Sequence, residues 1–283
     1  MIVKRNTRDE VMARLKAKIK QKKPLLFASC GTGLTAKLLE KAGADSITPF
    51  GGGKLRSDGW GSMYQYWPVL DNNGELFDLI SKSIMPVLKG DAFVTANING
   101  NDPKRDMRVF LEKLKAIGVL GIINVPSLSA YDKDSEIYKI LVQSGINLDQ
   151  EIEMLALAKE MGFITSTMPF DIEDSIKTVE KADPDIYCFH AGTTKGGLIG
   201  FDTPYTIEET AERTEEAFRE VLQIKPDLIL FSHGASLVTP EDGQYILDHT
   251  SAHGVWTGSA TERIPIENAI LDVAGKFANL KKS

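Results

Sequence analysis

Two of the four histidines in the chain, His190 and His233, each close a short apolar run and open a glycine-containing turn. An imidazole in that position can take or give a proton near neutral pH, or polarise a carbonyl; a purely structural hydrogen bond would also select it. Glu262, in Gly258-Ser259-Ala260-Thr261-Glu262-Arg263, is the carboxylate best placed to orient one of the two rings, or else to cap the helix whose first turn Pro265 marks. Thr95, Asn97 and Asn99 recur at period two, the spacing that puts side chains on one face of a strand. Together with Asn124 they are the polar side chains expected at the interior strand ends. Gly234-Ala235-Ser236 and Gly258-Ser259-Ala260 let a backbone approach a ligand closely, and amides at helix starts bind anions, although tight turns alone would also demand these glycines. Thr32, Gly33, Thr193 and Lys195 stand at equivalent turns, and Lys54, Arg56 and Lys195 are the cations available to neutralise substrate charge. The chemistry such a set suggests is general acid–base work on a small anion.

Metal chemistry is less well supplied. Hard cations want carboxylates, and the interior strand-end positions carry Asn97, Asn99 and Asn124 where a magnesium site usually places Asp or Glu. No H-x-H or E-x-x-H pattern occurs, so no integral Mg²⁺ is expected; Asp58, Asp71 and Asp102 in nearby loops are the carboxylates left for one. No other cofactor is implied.

These residues must be brought together by the elements that carry them. From residue 24 onward the chain repeats one unit: a short apolar run, a turn rich in Gly, Asn or Ser, then a helical pattern. The runs are 25–29, 46–50, 92–98, 119–125, 163–168, 185–189, 228–231 and 255–258, the length of buried parallel strands. Helix boundaries support the count: Thr206 and Glu209 have capping-box spacing, Thr239-Pro240 and Asp102-Pro103 read as an N-cap followed by proline, and Gly43, Gly118 and Gly162 follow helices. Eight such alternations predict an α/β fold, a TIM (β/α)8 barrel, as a single domain over 1–283, with a leading helix in 1–23 and the barrel in 24–283. An open doubly wound sheet is the rival, but Gly31-Thr32-Gly33 lacks the third glycine of a dinucleotide fingerprint. Long segments after strands 2 and 4, at 54–73 and 127–145, interrupt the rhythm; they read as lids, or, through Trp60, Tyr64, Tyr66 and Trp67, as subunit contacts.

In the leading segment, basic residues run from Lys4 and Arg5 to Lys23, Thr7 and Glu10 have capping-box spacing, and Val11, Leu15 and Ile19 form a narrow stripe that should pack on the core. The whole chain has 283 residues, 42% of them hydrophobic, and a formal charge of −6, so neither disorder nor a dominant nucleic-acid-binding surface is expected. No apolar stretch is long enough to span a membrane, and Cys30 and Cys188 lie inside apolar runs as core thiols, which together suggest a cytoplasmic location.

The segments Cys30 to Lys37, Gly121 to Pro126, Asp149 to Met154, His190 to Gly197, Thr239 to Asp242 and Gly258 to Pro265 together resemble the phosphoenolpyruvate hydrolase-like TIM-barrel family, the domain found in the C-terminal part of plant Tm-1-type proteins. The resemblance covers about residues 5 to 280 and implies kinship with phosphoenolpyruvate- and pyruvate-binding barrels, often oligomeric. The sequence lacks the K-K-C-G lid motif of the neighbouring isocitrate lyase and phosphonopyruvate mutase enzymes, and reads Gly234-Ala235-Ser236 where the family commonly has Gly-Gly-Pro. The expected function is cleavage of a small phospho- or 2-oxo-acid, by hydrolysis or by C–C or C–P scission, at the C-terminal face of the barrel. His190, His233 and Glu262 would be catalytic, and Thr32, Gly33, Asn97, Asn99, Asn124, Thr193, Lys195, Gly234, Gly258 and Ser259 would bind the substrate. The alternative is a non-catalytic small-molecule-binding or regulatory barrel acting through an oligomer or a protein partner. In either case a homo-oligomer is expected.

Overall fold

The computed structural model describes residues 6–67 and 69–282. Each of the eight apolar runs forms a strand: β1 (Leu25–Cys30), β2 (Ser46–Pro49), β3 (Phe93–Ile98), β4 (Gly121–Asn124), β5 (Ile164–Thr167), β6 (Ile186–His190), β7 (Ile229–His233) and β8 (Gly254–Thr257). Every strand pairs in parallel with the next, and β8 pairs with β1, so the sheet closes into a barrel with no free edge. Both faces of these strands are covered, which explains why they read as continuous apolar runs.

Eleven α-helices occur among the described residues: α1 (Arg8–Lys20), α2 (Gly33–Lys41), α3 (Gly51–Ser57), α4 (Asn72–Leu79), α5 (Met107–Ile117), α6 (Glu136–Gln143), α7 (Leu148–Glu160), α8 (Ile172–Ala182), α9 (Ile207–Ile224), α10 (Pro240–His249) and α11 (Arg263–Ala278). The capping boxes of Thr7 with Glu10 and Thr206 with Glu209 both form, and Thr239-Pro240 opens α10. Gly43, Gly118 and Gly162 all take positive φ just past a helix. The cap of α5, however, is Asp106 and not Asp102: the Asp106 side chain accepts from the Val109 amide, whereas Asp102 is drawn away by Arg105, Asn73 and the Lys104 amide. Three donors outcompete a local cap at Asp102, and Pro103 stays in the loop.

Alternation sorts the strand residues into two layers. Leu25, Phe27, Phe93, Ile123, Ile164, Ile186, Cys188, Ile229, Phe231 and Trp256 fill the barrel interior. Val11 and Leu15 of α1 join that cluster, so the leading helix seals the end where the strands begin. Arg8 pairs with Asp185 at 2.6 Å and Lys18 with Asp45 at 2.7 Å, and both acids also accept strand amides, which gives part of the basic bias of the segment a structural use. Lys4 and Arg5 lie outside the described residues. Cys30 and Cys188 are both buried free thiols. No helix among the described residues is long and apolar enough to cross a membrane.

The long segments are structured. After β2 come α3, a 3₁₀ turn over Ser62–Tyr66, and α4; after β4 come a 3₁₀ turn over Leu128–Ala130 and α6. In the first of these segments Gln65 is buried, whereas Trp60, Tyr64 and Trp67 are exposed.

Candidate active site

Period two decides which side chains top the barrel. In β6, Ile186 and Cys188 point inward, so His190 does too; in β7, Ile229 and Phe231 do the same for His233. The two histidines are directly paired across the strands, with ring centroids 4.7 Å apart. Ser29, Asn97, Val125, Met168, Trp256 and Gly258 follow the same phase on their own strands or just beyond them. Together with the two histidines, Thr193, Ser259, Arg56 and Arg263, they line a cavity of about 70 Å³. That is room for a ligand occupying the space of about five waters. Tyr66, Met63 and Gln65 from the long segment after β2 form one wall, so that segment turns its inner residues to the cavity and its aromatic outer residues to the surface.

The tautomers of the histidines follow from their partners. His233 Nδ1 lies 2.6 Å from the Trp256 carbonyl oxygen, which can only accept, so Nδ1 carries the proton and Nε2 is left with its lone pair. His190 Nδ1 accepts from the Gly192 amide at 3.3 Å, so the proton of its neutral ring sits on Nε2. Burial holds both rings neutral. It depresses the His233 pKa to about 4, with the positive Arg56 contributing, and pushes His190 well below its ordinary range, with His233 contributing. Phe170 stacks on His190 at 3.8 Å between ring centroids and fixes its plane. The cavity therefore holds one imidazole with a proton to give and, beside it, one with a lone pair to fill.

Glu262 is buried but touches neither histidine. Its Oε2 accepts from Arg56 Nη2 at 2.7 Å and its Oε1 from the Gly31 amide at 2.5 Å. Orientation of the rings falls instead to the Trp256 carbonyl and the Gly192 amide, and Glu262 positions Arg56. The Arg56 guanidinium lies 4.8 Å from the centroid of the Phe50 ring, and its buried Nε has no partner among the described residues. A methyl group built on Gly258 would sit 3.4 Å from Arg56 Nη1 and 3.5 Å from His233 Cε1, so guanidinium and imidazole meet at this glycine. Arg263 braces the rim, donating to the Gly196 carbonyl and pairing with Glu267. Two arginines and no carboxylate line the cavity, and each arginine is paired with a glutamate behind that lining, Arg56 with Glu262 and Arg263 with Glu267. Arg56 was visible in the sequence only as one of three loop cations, and Arg263 gave no signal beyond its place beside Glu262.

The remaining sequence candidates separate. Asn97 is buried on the lining and donates to the Pro49 carbonyl. Asn99 lies beyond the end of β3, where its backbone is clasped by Asn73, and it faces a neighbouring groove lined by Trp67, Asn101 and Tyr131. Asn124 points outward, because Gly121 and Ile123 take the interior phase of β4; its Nδ2 donates to Glu151 of α7 at 2.8 Å. Glu151 is fully buried, accepts from the Leu128 amide and from Asn101 as well, and has its pKa raised by burial to about 7. Thr32 caps α2, and Gly33 is required because a β-carbon there would lie 2.4 Å from the Ser83 carbonyl oxygen; neither lines the cavity. Lys195 is exposed, and Lys54 pairs with Asp58 on α3. Gly234 supports the site by close packing, since a β-carbon would strike the Gly192 carbonyl oxygen. The expected anion cradle at Gly234-Ala235-Ser236 does not form as drawn, because the Ala235 amide is already given to the Gly192 carbonyl. Of the two turns, Gly258 and Ser259 are the ones that reach the cavity.

The sequence matches the phosphoenolpyruvate hydrolase-like family over residues 10–280. The chain belongs to this family. It is 31% identical over 274 residues to the ToMV resistance protein Tm-1 of Solanum lycopersicum, an alignment that covers 96% of this chain and 36% of that protein. The ToMV susceptible protein tm-1 of the same plant is also 31% identical, over 95% of this chain and 35% of its own length. The chain thus spans about a third of these relatives. Among solved structures, 2,3-dimethylmalate lyase, described as a member of the PEP mutase/isocitrate lyase superfamily, is similar with a TM-score of 0.60 at 14% identity, over 98% of this chain and 91% of that one. Phosphonopyruvate hydrolase in complex with oxalate and Mg²⁺ is similar with a TM-score of 0.60 at 13% identity, over 96% and 86%. At these identities the likeness establishes the barrel fold, not a reaction.

The Mg²⁺ of that hydrolase complex invites a test of the same ion here. Hard cations need several oxygen ligands, mostly carboxylates, and the cavity offers imidazoles, guanidinia, two amides and hydroxyls. The loop carboxylates singled out in the sequence are engaged elsewhere: Asp58 with Lys54, and Asp71 and Asp102 with Arg105. No group of three or more His, Cys, Asp or Glu side chains is placed to hold a metal among the described residues. The donor set does not fit the ion.

Proposed function

We propose that this chain is an enzyme that cleaves a small 2-oxo or phospho acid, by hydrolysis or by C–C or C–P scission, through an enolate, at the strand-end cavity. The observation that carries the reading is the pair of neutral histidines of opposite tautomer, 4.7 Å apart, beside a buried arginine with an unpaired Nε–H. Arg56 would hold the substrate carboxylate. Nε2 of His233 would take the proton from an attacking water or from a substrate hydroxyl, the Nε2–H of His190 would hydrogen-bond the developing enolate oxygen, and the His233 imidazolium would then return its proton to the enolate carbon, which restores both rings. Hydrolysis of an enol phosphate, scission of a C–P bond and retro-aldol C–C scission all release the same enolate, so one site can serve any of the three.

A homo-oligomer forms part of this proposal. Ile270, Leu271 and Phe277 of α11 are 60–69% exposed, and Leu34 and Leu38 of α2 are exposed as well. Such apolar area favours a covering subunit.

The test is turnover. Phosphoenolpyruvate, phosphonopyruvate and a set of 2-oxo acid adducts are incubated with the protein, and products are read by mass spectrometry. Turnover of one class that His233→Ala abolishes is the expected result. Thermal stabilisation by a compound that stays intact would favour the non-catalytic binder instead.

A further inference from the structure

Beneath the histidines runs a short chain of hydroxyls that the reading above does not use. The indole Nε1–H of Trp256 donates to Thr48 Oγ1 at 3.1 Å, and Thr48 Oγ1 lies 2.9 Å from Ser29 Oγ. Thr48 is fully buried, and among the described residues its hydroxyl has these two partners and no others. Indole N–H can only donate, so the proton of Thr48 must find its acceptor in Ser29; the reverse orientation would leave a buried hydroxyl proton unsatisfied. Ser29 Oγ accepts that proton, and its own has no acceptor among the described residues. Ser29 lines the cavity.

We infer that Ser29 is a ligand-binding residue whose hydroxyl is fixed by Trp256 and Thr48 as a donor into the cavity, where it holds an oxygen of a small carboxylate. The inference rests on the proposed function for the site and sharpens its specificity. Ser29 joins Arg56 and the Nε2–H of His190 as donors, while Nε2 of His233 is the acceptor among these groups. A ligand that offers acceptor oxygens on most sides satisfies this lining; an amide of the same shape, which must place N–H groups against N–H and O–H groups, does not. The same Trp256 fixes both polarities, since its carbonyl sets the tautomer of His233 and its indole sets the direction of the Ser29 proton.

Oxalate is the probe, with oxamide as its neutral isostere, and binding is read by titration calorimetry on the full chain. Wild-type protein is expected to bind oxalate and not oxamide. Ser29→Ala should weaken oxalate by about 10- to 100-fold, the loss of one hydrogen bond to a charged group, in a protein that still folds but melts lower because the Thr48 hydroxyl loses its acceptor. Thr48→Val should change it by less than about threefold, because Ser29 keeps its proton for the ligand. Oxalate binding unaltered by Ser29→Ala would overturn the inference while leaving the histidine chemistry standing, to be judged by turnover. Equal binding of oxamide would overturn the donor polarity. A wild-type protein that ignores oxalate would remove both this inference and the anion site beneath it.

Discussion

Replacing Glu262 by Gln keeps the shape of the side chain and removes its charge. In the folded protein Arg56 and Glu262 side chains are 7% and 2% exposed, so the variant leaves a guanidinium uncompensated in the interior. Breaking a buried ion pair from one side costs about 3–5 kcal/mol. The Phe50 ring below Arg56 offsets part of this, by about 1 kcal/mol, and the amide oxygen of Gln can still accept from Gly31. We therefore expect a loss near 3 kcal/mol, which for a chain of this size lowers the melting temperature by roughly 6–12 °C. Arg56→Met should cost a similar amount by stranding the carboxylate. The double variant Arg56→Met with Glu262→Met removes both charges and should return to within about 2 kcal/mol of wild type. Urea unfolding followed by tryptophan fluorescence gives all four free energies and closes the cycle. Two single variants that each cost less than about 1 kcal/mol, with no coupling between them, would refute the claim that this pair is the buried electrostatic support of the site.

Three further outcomes are expected. The depressed His233 pKa means the folded state prefers the neutral ring, so its contribution to stability is complete above pH 6.5 and is lost as the pH falls through about 4; the full span is about 3 kcal/mol, and His233→Asn should flatten the acid limb of stability against pH. Glu151 has the opposite sign: its raised pKa favours the protonated form, so its stability contribution is present below about pH 4.5 and fades as the pH rises through about 7, a slope that Glu151→Gln should abolish whatever its absolute stability. Light scattering should give a mass above that of one chain, and Ile270→Glu with Leu271→Glu should return it toward the monomer; a wild-type monomer at all concentrations would reject the oligomer.

The sequence by itself determined the barrel, because everything it needed was local. Each strand announces itself through a short apolar run, each helix through its cap, and eight repetitions leave little choice of architecture. The inward phase of His190 and His233 was legible for the same reason: each ends a run whose alternate members are large and apolar. Asn124 misled because β4 has only four residues and is buried on both faces, so composition could not say which face was the interior. Asn99 misled because alternation was carried one residue past the point where β3 stops.

What tertiary structure alone decided are the contacts that closure creates. Arg56 and Glu262 are 206 residues apart and meet because β8 returns to β1. Ser29, Thr48 and Trp256 come from three different strands and share one line of hydrogen bonds for the same reason. Periodicity reports which way a side chain leaves its own strand. Which partner waits for it across the barrel depends on register and on the size of every neighbour, and those are properties of the packed whole.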